Sequence, residues 1–408
     1  MTYEQAVNKL ETFGQIHVLK YYDELTDAEK ESLLAQIDRT DFALLENVKL
    51  RGKKQERGSF APLAAMELPE IAEHNDRFFE IGKTALQKGE VACCLLAGGM
   101  GTRLGSDNPK GMYDIGLTKP VYIFQRLIEN LQDVERACGA TPRLFIMTSE
   151  KNHEATTAFL KEHAYFGYPE ERITFFLQDM APACDYDGKV FMESKGALAT
   201  SPNGNAGWYS SLCKAGLHDL LQTEGIKWIN IFAVDNVLQR MADPVFIGAT
   251  LEAGVECGAK CVRKAAPDEG VGVICLEDGR PSIVEYYDES EEMRAATNEK
   301  GEPAYNFGVI LNYLFSVEAL DRIVRDQLPL HVVEKKITHL DENGNVFKPD
   351  KPNGCKFETL VLDMIHEMNG CLAYEVVRSH EFAPIKNKTG IDSVESAREL
   401  CKLEGIVL

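Results

Sequence analysis

The segment that most constrains this chain is residues 91–105, where the apolar run VACCLLA passes without a break into GGMGTRLG. The run has no polar alternation, so both faces of the segment must be buried, the pattern of an interior parallel strand. Glycines at 98, 99, 101 and 105 follow at once. Backbone without Cβ atoms lets N–H groups approach a phosphate closely. A buried strand that ends in such a turn predicts an α/β sheet with its ligand site at the carboxyl ends of the strands.

The chain repeats this alternation. VYIFQRLIENLQDVERA reads as a helix, RLFIMTS as a strand, HEATTAFLKEH as a helix, and ITFFLQD and WINIFAVD as further strands. The pattern predicts a doubly wound α/β sheet. GAKCVRKA, GVGVICLE and PSIVEYYD read as a later group of shorter strands, antiparallel in part. Ahead of the sheet, TDAEKESLLAQI (26–37) begins with Thr26 as an N-cap and Glu29 three positions on. EIAEHNDRFFEIGKTALQKG (70–89) is a second helix, closed by Gly89. The expected organisation is a helical N-terminal segment (1–88), an α/β domain (89–330) and a small C-terminal α/β lobe (331–408). That lobe holds HVVEKKI, the turn KPDKPNGCK, the helix TLVLDMIHEMN and the strand CLAYEVVRS.

With 64 acidic and 44 basic residues the net charge is −20, which disfavours nucleic acid and anionic membranes as partners. A small anionic substrate remains compatible, because cations gathered in one cleft outweigh a surface beyond a Debye length of about 8 Å. No apolar run reaches the ~18 residues of a membrane span. The eleven cysteines sit in apolar or helical contexts without CxxC pairs or a secretory signal, so reduced thiols in a cytoplasm are expected. Cys257 and Cys261 read as small buried hydrophobes, not as metal ligands. The chain has no internal repeat, and nothing in it specifies an oligomeric state; a monomer is compatible with it.

In LLAGGMGTRLGSDNPKGM (95–112), Arg103 offers a planar fork to phosphate oxygens and Lys110 a mobile point charge. Strand, glycine turn and two cations together make a nucleoside triphosphate cradle. The loop lacks the Gly-Lys-Ser/Thr of a P-loop. It also misses the GxGxxG dinucleotide fingerprint, because position 104 is Leu. Asp235 ends the apolar run FAVD, where a carboxylate either binds Mg²⁺ or caps the next turn. Gln178, just past a strand, carries an amide able to pair with a base edge.

AGGMGTRLGSDNPKGM resembles the signature of UDP-sugar pyrophosphorylases, in particular the UDP-N-acetylhexosamine branch. The resemblance continues through FFLQDMAPACDYDGKV, ATSPNGNAGWY, FAVDNVLQRMADPVFIG, GVGVICLEDGRPSIVEYYD, YNFGVILNYLF, KPDKPNGCKFE and EFAPIKN. It implies a Rossmann-like nucleotidyltransferase core that uses Mg²⁺ to make a UDP-sugar from UTP and a sugar 1-phosphate. By resemblance, Gly98, Gly99, Gly101, Thr102, Gln178 and Gly207 bind the nucleotide, and Asp235 is the metal ligand. Asn205, Gly272, Glu285 and Asn306 face the sugar, and Lys356 reaches its phosphate. Arg103, Lys110 and Lys386 are catalytic. Taken alone, Glu285 reads equally as a solvated strand residue, Asn306 as a turn residue, and Lys356 and Lys386 as exposed lysines. His331, Lys335 and Lys336 match the family pattern without an assigned role.

Two features bear on the sugar. Leu360 and Leu362 stand where N-acetylhexosamine enzymes carry phenylalanines, whereas Gly204-Asn205-Ala206-Gly207 stands where glucose-type relatives carry a GHGD-like segment. N-acetylglucosamine 1-phosphate is the expected sugar, with glucose 1-phosphate, or a broad UDP-sugar pyrophosphorylase, as the alternative. A UDP-sugar-binding sensor without turnover and a nicotinamide-dependent dehydrogenase are the rivals from other classes.

Overall fold

VACCLLA forms the middle of a sheet. The computed structural model describes residues 1–52, 57–326 and 328–408, and among these eleven strands join in one sheet. They are β1 (Phe60–Pro62), β2 (Ala65–Met66), β3 (Val91–Leu96), β4 (Arg143–Thr148), β5 (Ile173–Leu177), β6 (Trp228–Ala233), β7 (Cys257–Arg263), β8 (Val273–Glu277), β9 (Arg280–Val284), β10 (Phe307–Ser316) and β11 (Cys371–Glu375). The main row runs β2-β11-β7-β10-β6-β3-β4-β5. Strands β6, β3, β4 and β5 are parallel neighbours, as are β7, β11 and β2. Between these groups β10 runs antiparallel to both β6 and β7. Strand β8 pairs antiparallel with β1, β9 and β10. This is a mixed, mostly parallel α/β sheet, with the later antiparallel strands where the sequence puts them.

The local reasons are simple. Val91 to Leu95 are all buried, so β3 must be covered on both faces. Helix Ile123–Cys138 buries Ile123, Leu127, Leu131, Val134 and Cys138 at helical spacing and stops at left-handed Gly139 (φ 64°). Helix Leu68–Gln87 meets helix Pro244–Ala253 through glycines. A Cβ on Gly82 would fall 1.9 Å from the Pro244 carbonyl, and one on Gly248 1.8 Å from the Phe78 carbonyl. Helix Asp27–Arg39 starts at Thr26 with the reciprocal Glu29 box.

Two compact units result. One comprises Met1–Glu56, Asp179–Gly207 and Leu328–Val361; the other comprises Arg57–Gln178, Trp208–Gln327 and Leu362–Leu408. The first packs helices Tyr3–Thr12 and Asp27–Arg39 with short antiparallel pairs, Met180–Pro182 with Thr200–Pro202 and His331–Lys335 with Gly354–Glu358. Its core includes Leu10, Leu33, Ile37, Phe42, Cys184 and Phe357. The second contains the whole sheet.

This grouping crosses the contiguous cuts at 88/89 and 330/331. Residues 57–88 supply β1, β2 and a helix to the sheet unit. Residues 371–375 supply β11, the parallel neighbour of β7, so the C-terminal stretch is shared between units instead of forming a separate lobe. Such pairings over more than a hundred residues leave no local trace in composition or periodicity. Among the described residues no helix is long and apolar enough to cross a membrane.

Candidate active site

The glycine loop leaves β3 at Ala97, whose N–H donates to the Met147 carbonyl at 2.8 Å. Fully buried Asn152 holds the turn: its Nδ2 donates to the Ala97 carbonyl at 2.9 Å and its Oδ1 accepts from the Ser149 N–H at 2.8 Å. The loop then folds back on itself. Gly101 N–H donates to the Asn108 carbonyl at 2.8 Å, and Lys110 N–H to the Gly99 carbonyl at 3.1 Å. A Cβ on Gly98 would sit 3.0 Å from Gln178 Oε1, whereas one on Gly99 would meet nothing within 4 Å. The backbone at Gly99 is therefore open to a ligand, with exposed Thr102 and Arg103 beyond it.

Asp235 lies two residues past β6, the parallel neighbour of β3. Lys110 Nζ stands 3.7 Å from Asp235 Oδ2, with both side chains mostly covered. Ile385 N–H donates to the Asp235 carbonyl at 2.8 Å and Asn236 pairs with Pro384, which brings Lys386 to the same place. Burial pushes the Lys110 ammonium below its usual range; Asp235 opposes this, while the charges of Arg103 and Lys386 push the same way. Lys110 thus sits against one carboxylate and within electrostatic reach of two further cations. Lys386 also donates to Asp392 Oδ2 at 2.9 Å.

A second cluster adjoins Lys386. Gly272 precedes β8, and a Cβ there would lie 3.1 Å from Ile283 Cγ2 and 3.4 Å from Glu285 Oε2. Burial raises the Glu285 carboxyl, Asp288 adds to the rise, and the positive charge of Lys386 counters it. Asn306 stands just before β10 and is 8% exposed. Its carbonyl accepts from the Lys264 N–H at 2.8 Å, and Lys264 Nζ pairs with Glu289 at 3.0 Å. Gln178 follows β5 and is held by its N–H on the Thr148 carbonyl at 2.7 Å.

Asn205, Gly207 and Lys356 belong to the first unit. There Gly204 has φ +91°, and a Cβ on it would strike the Thr359 carbonyl at 2.1 Å. Asn205 Oδ1 accepts from the Val361 N–H at 2.8 Å. A Cβ on Gly207 would meet the Asn203 amide at 2.3 Å. Close packing inside this unit therefore already requires both glycines. Lys356 stands opposite Val333 in its strand pair, and Leu360 and Leu362 flank Val361 at the start of a helix.

Among the described residues no three His, Cys, Asp or Glu side chains come together as a metal cage. Cys257 and Cys261 are both fully buried in β7, as small hydrophobes. The Asp235 carboxylate offers a cation a hard oxygen ligand beside the cationic loop.

Sequence reasoning missed three supports of this site: Asn152, Asp392 and the buried trio Lys260, Asp243 and Glu381. The trio had a readable signal, a lysine in the middle of the otherwise uncharged run CGAKCV. Asn152 and Asp392 had none, since polar residues at loop starts are common.

A family model described as UTP–glucose-1-phosphate uridylyltransferase matches residues 59–404. The chain belongs to this UDP-sugar pyrophosphorylase family. The pyrophosphorylase chain is 36% identical over 412 residues to mouse UDP-N-acetylhexosamine pyrophosphorylase-like protein 1, covering 94% of this chain and 80% of the relative. It is 35% identical over 414 residues to the UDP-N-acetylglucosamine pyrophosphorylase of Saccharomyces cerevisiae, covering 94% and 86%. Its structure is similar to the Trypanosoma brucei uridine diphosphate N-acetylglucosamine pyrophosphorylase crystallised with an inhibitor. The TM-score is 0.82 at 27% identity, covering 97% of this chain and 84% of the other.

Proposed function

We propose that this chain is a cytoplasmic, Mg²⁺-dependent uridylyltransferase with a Rossmann-like core. It makes UDP-N-acetylglucosamine and pyrophosphate from UTP and N-acetylglucosamine 1-phosphate. The observation that carries the reading is the Lys110–Asp235 pair at the carboxyl ends of β3 and β6, with the charges of Arg103 and Lys386 both acting on Lys110. The names of the relatives support the nucleotide and the sugar.

A sugar phosphate oxygen attacks the α-phosphorus of UTP in line; the new P–O bond forms as the bond to the β-phosphate bridging oxygen breaks, and pyrophosphate leaves. The attacking phosphate is already anionic, so no general base is needed, and rate comes from positioning and charge neutralisation. Gly99 and Thr102 leave room for the triphosphate. Arg103 receives the departing pyrophosphate, while Lys110 and Lys386 neutralise the crowded α-phosphate. Within the sheet unit, Gln178 holds the base, and Gly272, Glu285 and Asn306 hold the sugar. Mg²⁺ is usually held by one or two carboxylates together with substrate phosphates, which fits Asp235; when bound, it would neutralise charge on the pyrophosphate.

Leu360 and Leu362, together with the glucose 1-phosphate of the family description, favour glucose as a second sugar. One lost apolar contact is worth only about 1–3 kcal/mol of discrimination. Pyrophosphate release from UTP, compared with N-acetylglucosamine, N-acetylgalactosamine and glucose 1-phosphates, tests the assignment. Preference for N-acetylglucosamine upholds it, and preference for glucose moves the chain to UDP-glucose synthesis. UDP-sugar binding without release from any of the three leaves a sensor.

A further inference from the structure

Lys260 sits in β7 with its side chain fully buried. Its ammonium donates to Asp243 Oδ2 at 2.8 Å, to Glu381 Oε2 at 2.6 Å and to the Arg240 carbonyl at 3.2 Å, so all three N–H bonds are used. Desolvating such a charge is expensive, and an apolar residue of the same volume often stabilises a core better. Stability alone is therefore a poor reason for a lysine here.

The partners share a direction. Asp243 ends the segment that begins at Asp235, and its Oδ1 caps helix Pro244–Ala253 through the Val245 N–H at 3.1 Å. Glu381 begins the segment that ends at Lys386. Between them the two segments are zipped. Asn236 Nδ2 donates to the Glu381 carbonyl at 2.7 Å, Asn236 Oδ1 accepts from the Ala383 N–H at 2.9 Å, and Ile385 N–H donates to the Asp235 carbonyl at 2.8 Å. One ammonium clamps the far end of both segments, and their near ends carry the carboxylate and the lysine of the site.

We infer that Lys260, with Asp243 and Glu381, is a positioning device that fixes the separation of Asp235 and Lys386. The inference rests on the proposed roles of those two residues. The glycine loop hangs mainly from β3, β4 and Asn152, and meets the clamped segments through the Lys110–Asp235 pair. The clamp should therefore govern metal binding and turnover far more than metal-free UTP affinity, which the loop backbone and Arg103 also support.

The test compares full-length Glu381→Gln, Lys260→Met and Asp235→Asn with wild type. Mn²⁺ binding in the presence of UTP is read from the free-ion EPR signal, metal-free UTP affinity by calorimetry, and kcat and KM by pyrophosphate release. Loss of a residue that orients a metal ligand typically costs about 10–100-fold in affinity or activity. Glu381→Gln keeps its shape and is expected to fold, to bind metal-free UTP within about twofold of wild type, and to lose about tenfold in Mn²⁺ affinity and in kcat. Lys260→Met is expected to lose more; if it does not fold, Glu381→Gln decides. Mn²⁺ affinity and kcat both within twofold of wild type in Glu381→Gln, while Asp235→Asn loses Mn²⁺, overturns the positioning role alone. An equal fall in metal-free UTP affinity overturns it as well, because it marks general loosening. Wild-type Mn²⁺ affinity in Asp235→Asn removes the metal reading of Asp235, and this inference with it.

Discussion

Lys110 Nζ stands 3.7 Å from Asp235 Oδ2, across the gap between loops that leave the paired parallel strands β3 and β6. The carboxylate offsets part of the repulsion that Arg103 and Lys386 impose on Lys110. It is also the hard oxygen donor placed to meet a phosphate-bound cation.

Replacing Asp235 by Asn removes both functions at nearly constant shape. The expected loss in kcat/KM is at least about 10², in the range seen when one preorganised charge partner is deleted. Raising Mg²⁺ tenfold should not restore it. Initial rates at several Mg²⁺ concentrations check this, and activity within threefold of wild type would remove Asp235 from the site.

Two neighbouring glycines should respond differently. A Cβ at Gly98 meets Gln178 Oε1 at 3.0 Å, while a Cβ at Gly99 points into open space. Gly99→Ala is expected to melt within a degree or two of wild type yet raise the KM for UTP about tenfold, because the new methyl occupies ground the phosphates need. Gly98→Ala is expected to act through Gln178, weakening uridine binding more than pyrophosphate binding. Calorimetric titration with UTP, uridine and pyrophosphate separates the two. A Gly99→Ala protein with unchanged KM would show that phosphate does not approach there.

What the sequence made legible follows from how local each signal is. The strand VACCLLA, its glycine turn, the helix beginning at Thr26 and the order of strands and helices were readable because burial, capping and glycine conformation act within a few residues. Arg103, Asp235 and Lys386 all act on Lys110 in the structure, although only Arg103 is near it in the chain. Their meeting depends on β6 pairing with β3 and on the Asn236–Pro384 bridge, which no window of sequence encodes. Glu285 read equally well as a solvated strand residue; the β8–β9 hairpin sets it beside Gly272, and only the long-range fold brings it under the charge of Lys386. The Gly204 and Gly207 backbone, read as room for a base, is also demanded by Thr359 and Asn203.

Ten of the eleven cysteines are buried and Cys213 is partly so. Burial pushes the Cys213 thiol up to about 11 and Cys184 and Cys275 to about 12. At pH 8 the Cys213 thiolate fraction is then about one in a thousand, and the thiolate is the reactive form. Ellman's reagent should label at most one thiol quickly in native protein and all eleven in guanidinium. Rapid labelling of three or more native thiols would contradict the packing.

Acid should weaken the fold through Glu277. Burial alone would raise its carboxyl, but Arg57, the Gly58 N–H and the Ser282 hydroxyl outweigh burial and hold it at about 2; the Arg57 fork lies at 2.9 and 2.8 Å. A depressed carboxylate stabilises the native state above its unfolded value of 4.5, and this stability is lost as pH falls toward 2. Glu277→Gln should melt lower than wild type at pH 6, and the difference should shrink steadily below pH 4.5. A difference independent of pH would deny the ion pair its role.

The most direct test of the whole account is kcat/KM for UDP-sugar formation in Arg103→Ala and Lys110→Ala, with correct folding checked by circular dichroism. If each cation stabilises the transferring phosphate, each variant should lose roughly 10²–10³-fold. Losses below threefold in both would contradict the assignment of this cluster as the active site.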